Sequence, residues 1–513
     1  MDLFLGLDLG TSNLKALVMT DTGAIVARGA ASYPLLRPRP GWAVQNPGAW
    51  WAALVEVLAD LRARAVPLER VEAIGLSGQM HGLVLLDSAG NAVGPCQTWA
   101  DARCAAEARL LERRVGARRL AAIAGSRANP SATAAKLLWM RRHDRDRWRA
   151  AAYFMLPKDY LRWRLTGALA TDASDASGTL LCDITMRDWS PPLLAALGLP
   201  ANASLPILAS HAVTGQLMRS AAALLGLRAG IPVMAGGGDV ECAAIGQGIV
   251  GGEADAGIAL ATLGTAGQFF AATERPLIAT ERGLQTLCHV VPDRWHVMGA
   301  LLIGASAMDW LAGILAPPGG APPAVAQLLD EAAHEPAGAR GLLFVPHVNG
   351  TRMPTVDPAA SGAFVGLRPW HTRASLARAV VEGVALALRE GLEASRAAGI
   401  PIRRVRLAGG AQRHPLWARV QADAFGVPVE LGAAENASAL GAAMLAAIGS
   451  GAIASFAAAA ARVTQPDADP IEPDPAATAL YAERAALLRS VTRQLRPTWR
   501  ALAEDASPED AGH

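Results

Sequence analysis

Cysteine is scarce in this chain. There are five in 513 residues: Cys96, Cys104, Cys182, Cys242 and Cys288. An odd count at irregular spacing argues against a disulfide framework and against a structural zinc site. Excess charge of either sign is also missing, with 47 Lys+Arg against 45 Asp+Glu and a net charge of +2. Neither nucleic acid nor a membrane surface is called for as a partner. No apolar run approaches the roughly 20 residues of a membrane span. Met1-Asp2 leads straight into an apolar strand with no basic start or cleavage site. The expected compartment is therefore the reducing cytoplasm. What remains is 52% hydrophobic and 18% charged, as in a globular protein. The length exceeds one ordinary core, so two or more domains are expected.

The most informative segment is Leu5 to Lys15, Leu-Gly-Leu-Asp-Leu-Gly-Thr-Ser-Asn-Leu-Lys. An apolar strand delivers Asp8 into a turn where Gly10 lets a ligand approach the backbone amides. Thr11 and Ser12 add hydroxyls, and Lys15 lies just beyond. Leu14 to Met19 and Ala24 to Ala31 read as two further strands, joined through Asp21-Thr22-Gly23. A helix does not follow the glycine, so this is not a Walker-type loop. A carboxylate beside a phosphate-binding hairpin suits a hydrated magnesium ion on a nucleotide. An ordinary hairpin with an Asp-containing turn is the other reading of the same residues.

Strand-like and helix-like stretches then alternate. Asn46-Pro47 caps a helix. Val71 to Leu76 is a buried strand leading to Ser-Gly-Gln-Met-His-Gly at 77 to 82, and Leu83 to Leu86 is another. Ala134 to His143 reads as helix. Ile231 to Ala235 runs into Gly236-Gly237-Gly238-Asp239. After that the opening plan recurs: strand Ile258 to Leu263, turn Gly264-Thr265-Ala266-Gly267, strand Gln268 to Ala272. Two domains of similar plan are expected, with a boundary near 238 to 250. Loops are expected at Ala316 to Ala324 and Gln465 to Ala476, and a disordered acidic tail at the end.

Four glycine turns follow apolar strands: at Asp8 to Ser12, at Gly236 to Asp239, at Gly264 to Gly267, and at Gly409-Gly410-Ala411. Together they describe two phosphate hairpins, an acid at the interdomain seam, and a glycine pair on which a flat base can rest. Asp239 is the sharpest candidate. It can take a proton from a sugar hydroxyl as that oxygen attacks a γ-phosphorus. It can equally cap the helix that follows. Met80-His81, flanked by Gly78 and Gly82, is a candidate substrate contact. Trp99, Asp101 and Arg103 form a second polar cluster, of a kind that holds polyols and also occurs in surface loops.

These stretches resemble the FGGY carbohydrate kinase family from Gly6 to about Ala446. The matching segments include 6–12, Trp42 through Trp51, Gly78-Gln-Met-His-Gly, Lys136-Leu-Leu-Trp, Leu156-Pro-Lys-Asp-Tyr-Leu, Ser174-Asp-Ala-Ser-Gly-Thr, Gly236-Gly-Gly-Asp, Leu263-Gly-Thr, Gly409-Gly-Ala and Ala439-Leu-Gly-Ala-Ala. The resemblance implies an α/β protein with two RNase H-like, actin-like ATPase domains and a cleft between them. It implies a sugar-binding side at 1–242, an ATP-binding side at 243–495 and a tail at 496–513. It implies an ATP- and Mg2+-dependent kinase of a small sugar, and Gln79-Met80-His81-Gly82 is similar to members that act on D-xylulose. By the same resemblance Asp239 is the catalytic base and Asp8 positions magnesium and phosphate. Met80, His81, Trp99 and Asp101 contact sugar. Thr11, Ser12, Lys15, Gly264, Thr265, Gly409, Gly410 and Ala411 hold nucleotide. Val240, Ala100 and Thr351 depart from the pattern, where the family usually has Asn, Asn and Glu. The first reading is D-xylulose to D-xylulose 5-phosphate, with another ketose, a deoxy-ketose or a polyol as the alternative. A homodimer is left open, as is the different reading of an actin-like switching ATPase.

Overall fold

The computed structural model describes residues 2–199, 205–432, 436–463 and 469–505. Its scaffold is two sheets of matching plan. In the first, strands run in the order Val213–Gln216, Pro232–Met234, Val71–Gly78, Leu3–Leu9, Asn13–Thr20, Ile25–Ser32, and Gly237–Gly238 also pairs with 71–78. Leu3–Leu9 is antiparallel to 13–20 and parallel to 71–78. In the second the order is Gln285–Cys288, Trp295–Leu301, Gly267–Thr273, Ile258–Leu263, Arg404–Ala408, Val429–Leu431. There, 258–263 is antiparallel to 267–273 and parallel to 404–408. The expected repeat is present: a hairpin, then a parallel strand beside its first arm.

The opening strand is buried on both faces, so it reads as a continuous apolar run rather than an alternating one. Alternate residues nevertheless go to different cores. Leu3, Leu5, Leu7 and Leu9 join Trp50, Leu54, Val57 and Leu61 of the Pro47–Ala63 helix. That helix starts where expected, with the Asn46 side chain accepting from the Gly48 amide at 2.9 Å. Phe4, with Leu17, Met19 and Ala73, meets Ala439, Leu440, Ala443 and Met444 of the Ala437–Gly449 helix.

That second covering helix comes from late in the chain and sits very close. Gly6 and Gly75 are register partners on adjacent strands. A Cβ on either would lie 1.9 and 1.8 Å from the carbonyl oxygens of Ala439 and Ala442. The bare glycine strip lets helix backbone rest directly on strand backbone. The same helix crosses Asp239–Gly246 just as tightly, with Gly246 against the Ala437 carbonyl and Gly441 against the Cys242 carbonyl.

The end of the chain departs from expectation. Residues 475–505 form one helix, Pro475–Asp505, so the stretch 496–505 is not a disordered tail. Its composition is polar, but Trp499 is buried in the second core and lies edge-on to His347. Residues 506–513 lie outside the described residues, as do 464–468 of the expected loop at 465–476. All five cysteines are free and buried. Among the described residues no helix is long and apolar enough to cross a membrane.

Candidate active site

One row of the first sheet assembles the site. Lys15 pairs with Asp8, Asp8 with Ser77, and Ser77 with Gly237. The next pairing, Gly78 with Gly238, ends where the Asp239–Gly246 helix begins. The row is thus a line of cation, carboxylate, hydroxyl and bare backbone leading to a second carboxylate. Ser77 donates its hydroxyl to Asp8 Oδ1 at 3.1 Å.

Burial raises the Asp8 carboxyl above its ordinary value, against the pull of Lys15 and Ser77. Asp239 is pushed up to about 7, first by burial and then by the negative charge of Asp8. Its helix is capped by Gly238 without a side-chain bond, and Asp239 lies inside the helix. Asp239 Oδ1 nevertheless accepts from the first-turn Val240 amide at 3.0 Å, so its carboxylate satisfies one free amide of the helix end from inside the helix. The backbone carbonyl of Asp239 accepts from Ser438 Oγ at 3.0 Å, so the late helix also holds this residue.

The phosphate turn is tied down from the opposite side. Gln45 donates to the Thr11 carbonyl at 2.6 Å, Gln79 to the Gly10 carbonyl at 3.3 Å, and Trp99 Nε1 to Thr11 Oγ1 at 2.8 Å. Ser12 stays exposed. Trp99 thereby links the expected sugar cluster to the expected phosphate turn.

His81 has φ +66°, which is uncommon outside glycine. The Lys136 ammonium donates to its carbonyl at 2.9 Å and Thr133 Oγ1 at 3.1 Å. Lys136 also donates to the Ser131 carbonyl. His81 Nδ1 lies 2.7 Å from the Gly178 carbonyl. A carbonyl only accepts, so Nδ1 carries the proton. Burial, then the Lys136 charge, pushes the imidazole down to about 4. The ring is neutral near pH 7, and Nε2 is an acceptor. Arg352 reaches over from the second half and donates to Ser131 Oγ at 2.7 Å.

Asp101 is fully engaged elsewhere. It accepts from the Ala43 amide at 2.8 Å and from Arg103 Nε and Nη2 at 2.8 and 2.5 Å. Arg103 itself lies 3.3 Å over the Trp42 ring. Asp101 is placed to anchor this arginine–aromatic stack. Val240, expected near the sugar, is half-buried and packs against the cluster of Ala244, Ile249, Leu260, Phe270 and Ala408.

The second sheet brings its two glycine turns together. Thr262 and Ala408 are register partners, so Gly264 and Gly409 leave adjacent strand ends. The Gly264 and Thr265 carbonyls accept from the Ala305 and Gly304 amides, each at 2.7 Å. That fixes the turn against the Ser306–Ile314 helix. Gly409 has φ +98° with the Leu263 backbone pressed against it, whereas Gly264 and Gly410 face open space. The result is a flat backbone floor with no side chain in the way.

The chain has only three lysines among 47 basic residues: Lys15, Lys136 and Lys158. All three are built into this region, Lys136 and Lys158 fully buried. Arginine serves everywhere else. A compact ammonium survives where a planar fork cannot fit. That scarcity is the sequence signal for Lys136 and Lys158, to which no role was assigned from motif alone.

Residues 3–246 match the N-terminal domain of the FGGY family of carbohydrate kinases, and residues 259–450 match its C-terminal domain. The chain belongs to the FGGY carbohydrate kinases. This FGGY chain is 40% identical to the xylulose kinase of Escherichia coli K12 over 453 residues, 87% of this chain and 90% of that protein. It is 34% identical to the xylulose kinase of Bacillus subtilis 168, over 88% and 89% of the two chains. A crystal structure of a xylulose kinase from Rhodospirillum rubrum superposes with a TM-score of 0.88 at 32% identity, covering 97% of this chain and all of that one. A gluconate kinase from Lactobacillus acidophilus, at 24% identity and TM-score 0.91, shares the fold.

Proposed function

We propose that this chain transfers the γ-phosphate of ATP to D-xylulose, forming D-xylulose 5-phosphate and ADP. The reading rests on FGGY membership and on the resemblance to xylulose kinases over most of the chain. The observation that carries it locally is the sheet row from Lys15 through Asp8 and Ser77 to Asp239. That row supports reading Asp239 as the proton acceptor and the Asp8–Ser12 turn as the phosphate cradle.

In this mechanism the sugar lies against Met80 and His81, whose Nε2 accepts from a sugar hydroxyl. Asp239 takes the proton of the attacking hydroxyl. The new O–P bond forms as the bond from phosphorus to the β-phosphate oxygen breaks, and ADP leaves. Lys15, Thr11 and Ser12 hold the transferring phosphoryl group. The backbone floor at Gly264, Thr265, Gly409, Gly410 and Ala411 carries the nucleotide.

Asp8 fits a magnesium ion by its chemistry. It is a hard oxygen donor held up by burial, and a cation would relieve that. Among the described residues no cluster of three or more His, Cys, Asp or Glu side chains forms a metal cage. Magnesium bound through one or two carboxylates, water and phosphate needs none. When bound, the ion neutralises charge on the phosphates.

The test is ADP release under saturating Mg-ATP with a panel of ketoses, deoxy-ketoses and polyols. D-Xylulose should give the highest kcat/KM. Turnover independent of any sugar would instead support a switching ATPase.

A further inference from the structure

Two stretches that carry the family resemblance, 156–161 and 174–179, enter the mechanism above only through the Gly178 carbonyl that orients His81. They meet in a buried ion cage beneath the Asp239 turn. Lys158 Nζ lies 2.7 Å from Asp159 Oδ1, 3.0 Å from Asp172 Oδ1 and 3.3 Å from Asp175 Oδ2. Arg162 Nη1 lies 2.7 Å from Asp159 Oδ1. None of these five side chains has any exposed surface.

The cage grips the turn at three points. Arg162 Nη1 donates to the Ala235 carbonyl at 2.9 Å. The Gly236 amide donates to the Ser210 carbonyl at 2.9 Å. The Gly238 amide donates to Ser174 Oγ at 3.0 Å. Ser174 Oγ then donates to Asp172 Oδ2 at 2.5 Å, and Ser210 Oγ donates to the same oxygen at 2.8 Å. The Ala235 amide, by contrast, pairs with the Ala212 carbonyl at 2.9 Å.

Stability does not explain such a cage, since apolar side chains of similar volume often replace buried ion pairs without loss. Positioning does. The turn consists of three glycines, so it has no side chains of its own to fix it. A displacement of about 1 Å at a reacting group can cost on the order of 100-fold in rate. The choice of lysine at 158, in a chain with only three lysines, points the same way. Three carboxylates converge on one point, and only a compact ammonium can meet them all.

We propose that Ser174, held by Asp172 and Lys158, is a positioning residue for Asp239 in phosphoryl transfer. It fixes the amide of Gly238, the residue before Asp239, so that the carboxylate stays at working distance from the acceptor hydroxyl. The proposal rests on the kinase reading above.

The test compares Ser174→Ala, Ser174→Thr and Asp172→Asn with the wild type, measuring sugar-dependent ADP release and thermal midpoints. Ser174→Ala loses the acceptor for the Gly238 amide. Its kcat should fall about 10–100-fold, with KM for sugar and for ATP within about threefold. Ser174→Thr keeps the oxygen and should recover most of that loss. Asp172→Asn keeps the shape but frees Ser174 from a charged partner, and should reproduce the same split if Ser174→Ala proves insoluble. Near-wild-type kcat in both Ser174→Ala and Asp172→Asn overturns the proposal. So does an equal loss in the Thr variant, or a loss expressed only in thermal midpoint. A wild type without sugar-dependent ADP release overturns the kinase reading along with it. An active wild type beside an unaffected Ser174→Ala overturns the relay alone.

Discussion

Replacing Asp239 by Asn should make the protein more stable at alkaline pH while removing nearly all its activity. The carboxyl moves from an ordinary value of 3.8 to about 7 in the folded chain. The folded state therefore binds this proton more tightly than the unfolded state. Below pH 4 both states are protonated and the group is neutral in its effect. As pH rises toward 7 the unfolded chain ionises first, and stability is lost. Above 7 the loss is complete. A change of that size corresponds to about 4 kcal/mol between protonation states. Asp239 is only half-buried at the cleft, where water screens it, so we take about 1–2 kcal/mol. Asn cannot ionise and escapes this cost. Its loss of a first-turn negative charge works the other way, but is worth only about 0.3–1 kcal/mol. Asn keeps the shape but cannot accept the proton, so kcat should fall by roughly 10²–10⁴, about 3–5 kcal/mol of barrier. The assay is twofold: sugar-dependent ADP release, and thermal midpoints of ligand-free protein at about pH 8 and about pH 5. The variant's advantage should be present at the higher pH and shrink at the lower. A kcat within about threefold of wild type, or a midpoint gap that ignores pH, would refute the reasoning.

Three further outcomes are expected. Val240→Asn places an amide against Leu260 and Phe270 and should cost about 1–3 kcal/mol; the ratio of kcat/KM between D-xylulose and its 1-deoxy analogue should stay unmoved, and a shift would put position 240 at the sugar. Lys136→Met removes the charged donor to the His81 and Ser131 carbonyls; sugar KM should rise on the order of tenfold with ATP KM unchanged, as steady-state kinetics would show. Sugar and nucleotide together should narrow the cleft so that water is excluded during transfer, which solution scattering reads as a smaller radius of gyration.

Elements with strong periodic or turn signals were legible in sequence. The opening hairpin, the Asn46-capped helix and the second hairpin at 258–273 all stand where their residues imply. The carboxylate at the end of a glycine run was also legible, because glycines before an acid have few other uses. The pairing that brings Ser77 and Gly237 into line with Asp8 and Lys15 was not, since register between partners 69 and 160 residues apart leaves no local trace. Nor was the packing of Val240 against the cluster around Leu260 and Phe270, which depends on which neighbour its helix meets. The helix through Trp499 was hidden because its composition is that of a tail while one buried tryptophan anchors it. Asp101 looked like a sugar ligand by type, and only the Arg103 fork and the Ala43 amide show how its oxygens are spent.

The helix resting on Gly6 and Gly75 has a consequence for synthesis. One face of the first sheet, with Phe4, Leu17, Met19 and Ala73, is covered by Ala439, Leu440, Ala443 and Met444. Those residues are translated long after the strands they cover. Between Met234, the last residue of that face, and Gly449, the end of the covering helix, a ribosome adding about 5–20 residues per second needs roughly 10–40 s. For that interval the nascent first half carries a bare apolar strip with no side chains at its centre. A fragment ending near residue 246 would keep that strip indefinitely, and would be expected to recruit holding chaperones or aggregate. The native enzyme closes it only when the Ala437–Gly449 helix arrives, so completion of the first sheet's packing waits on the late part of the chain.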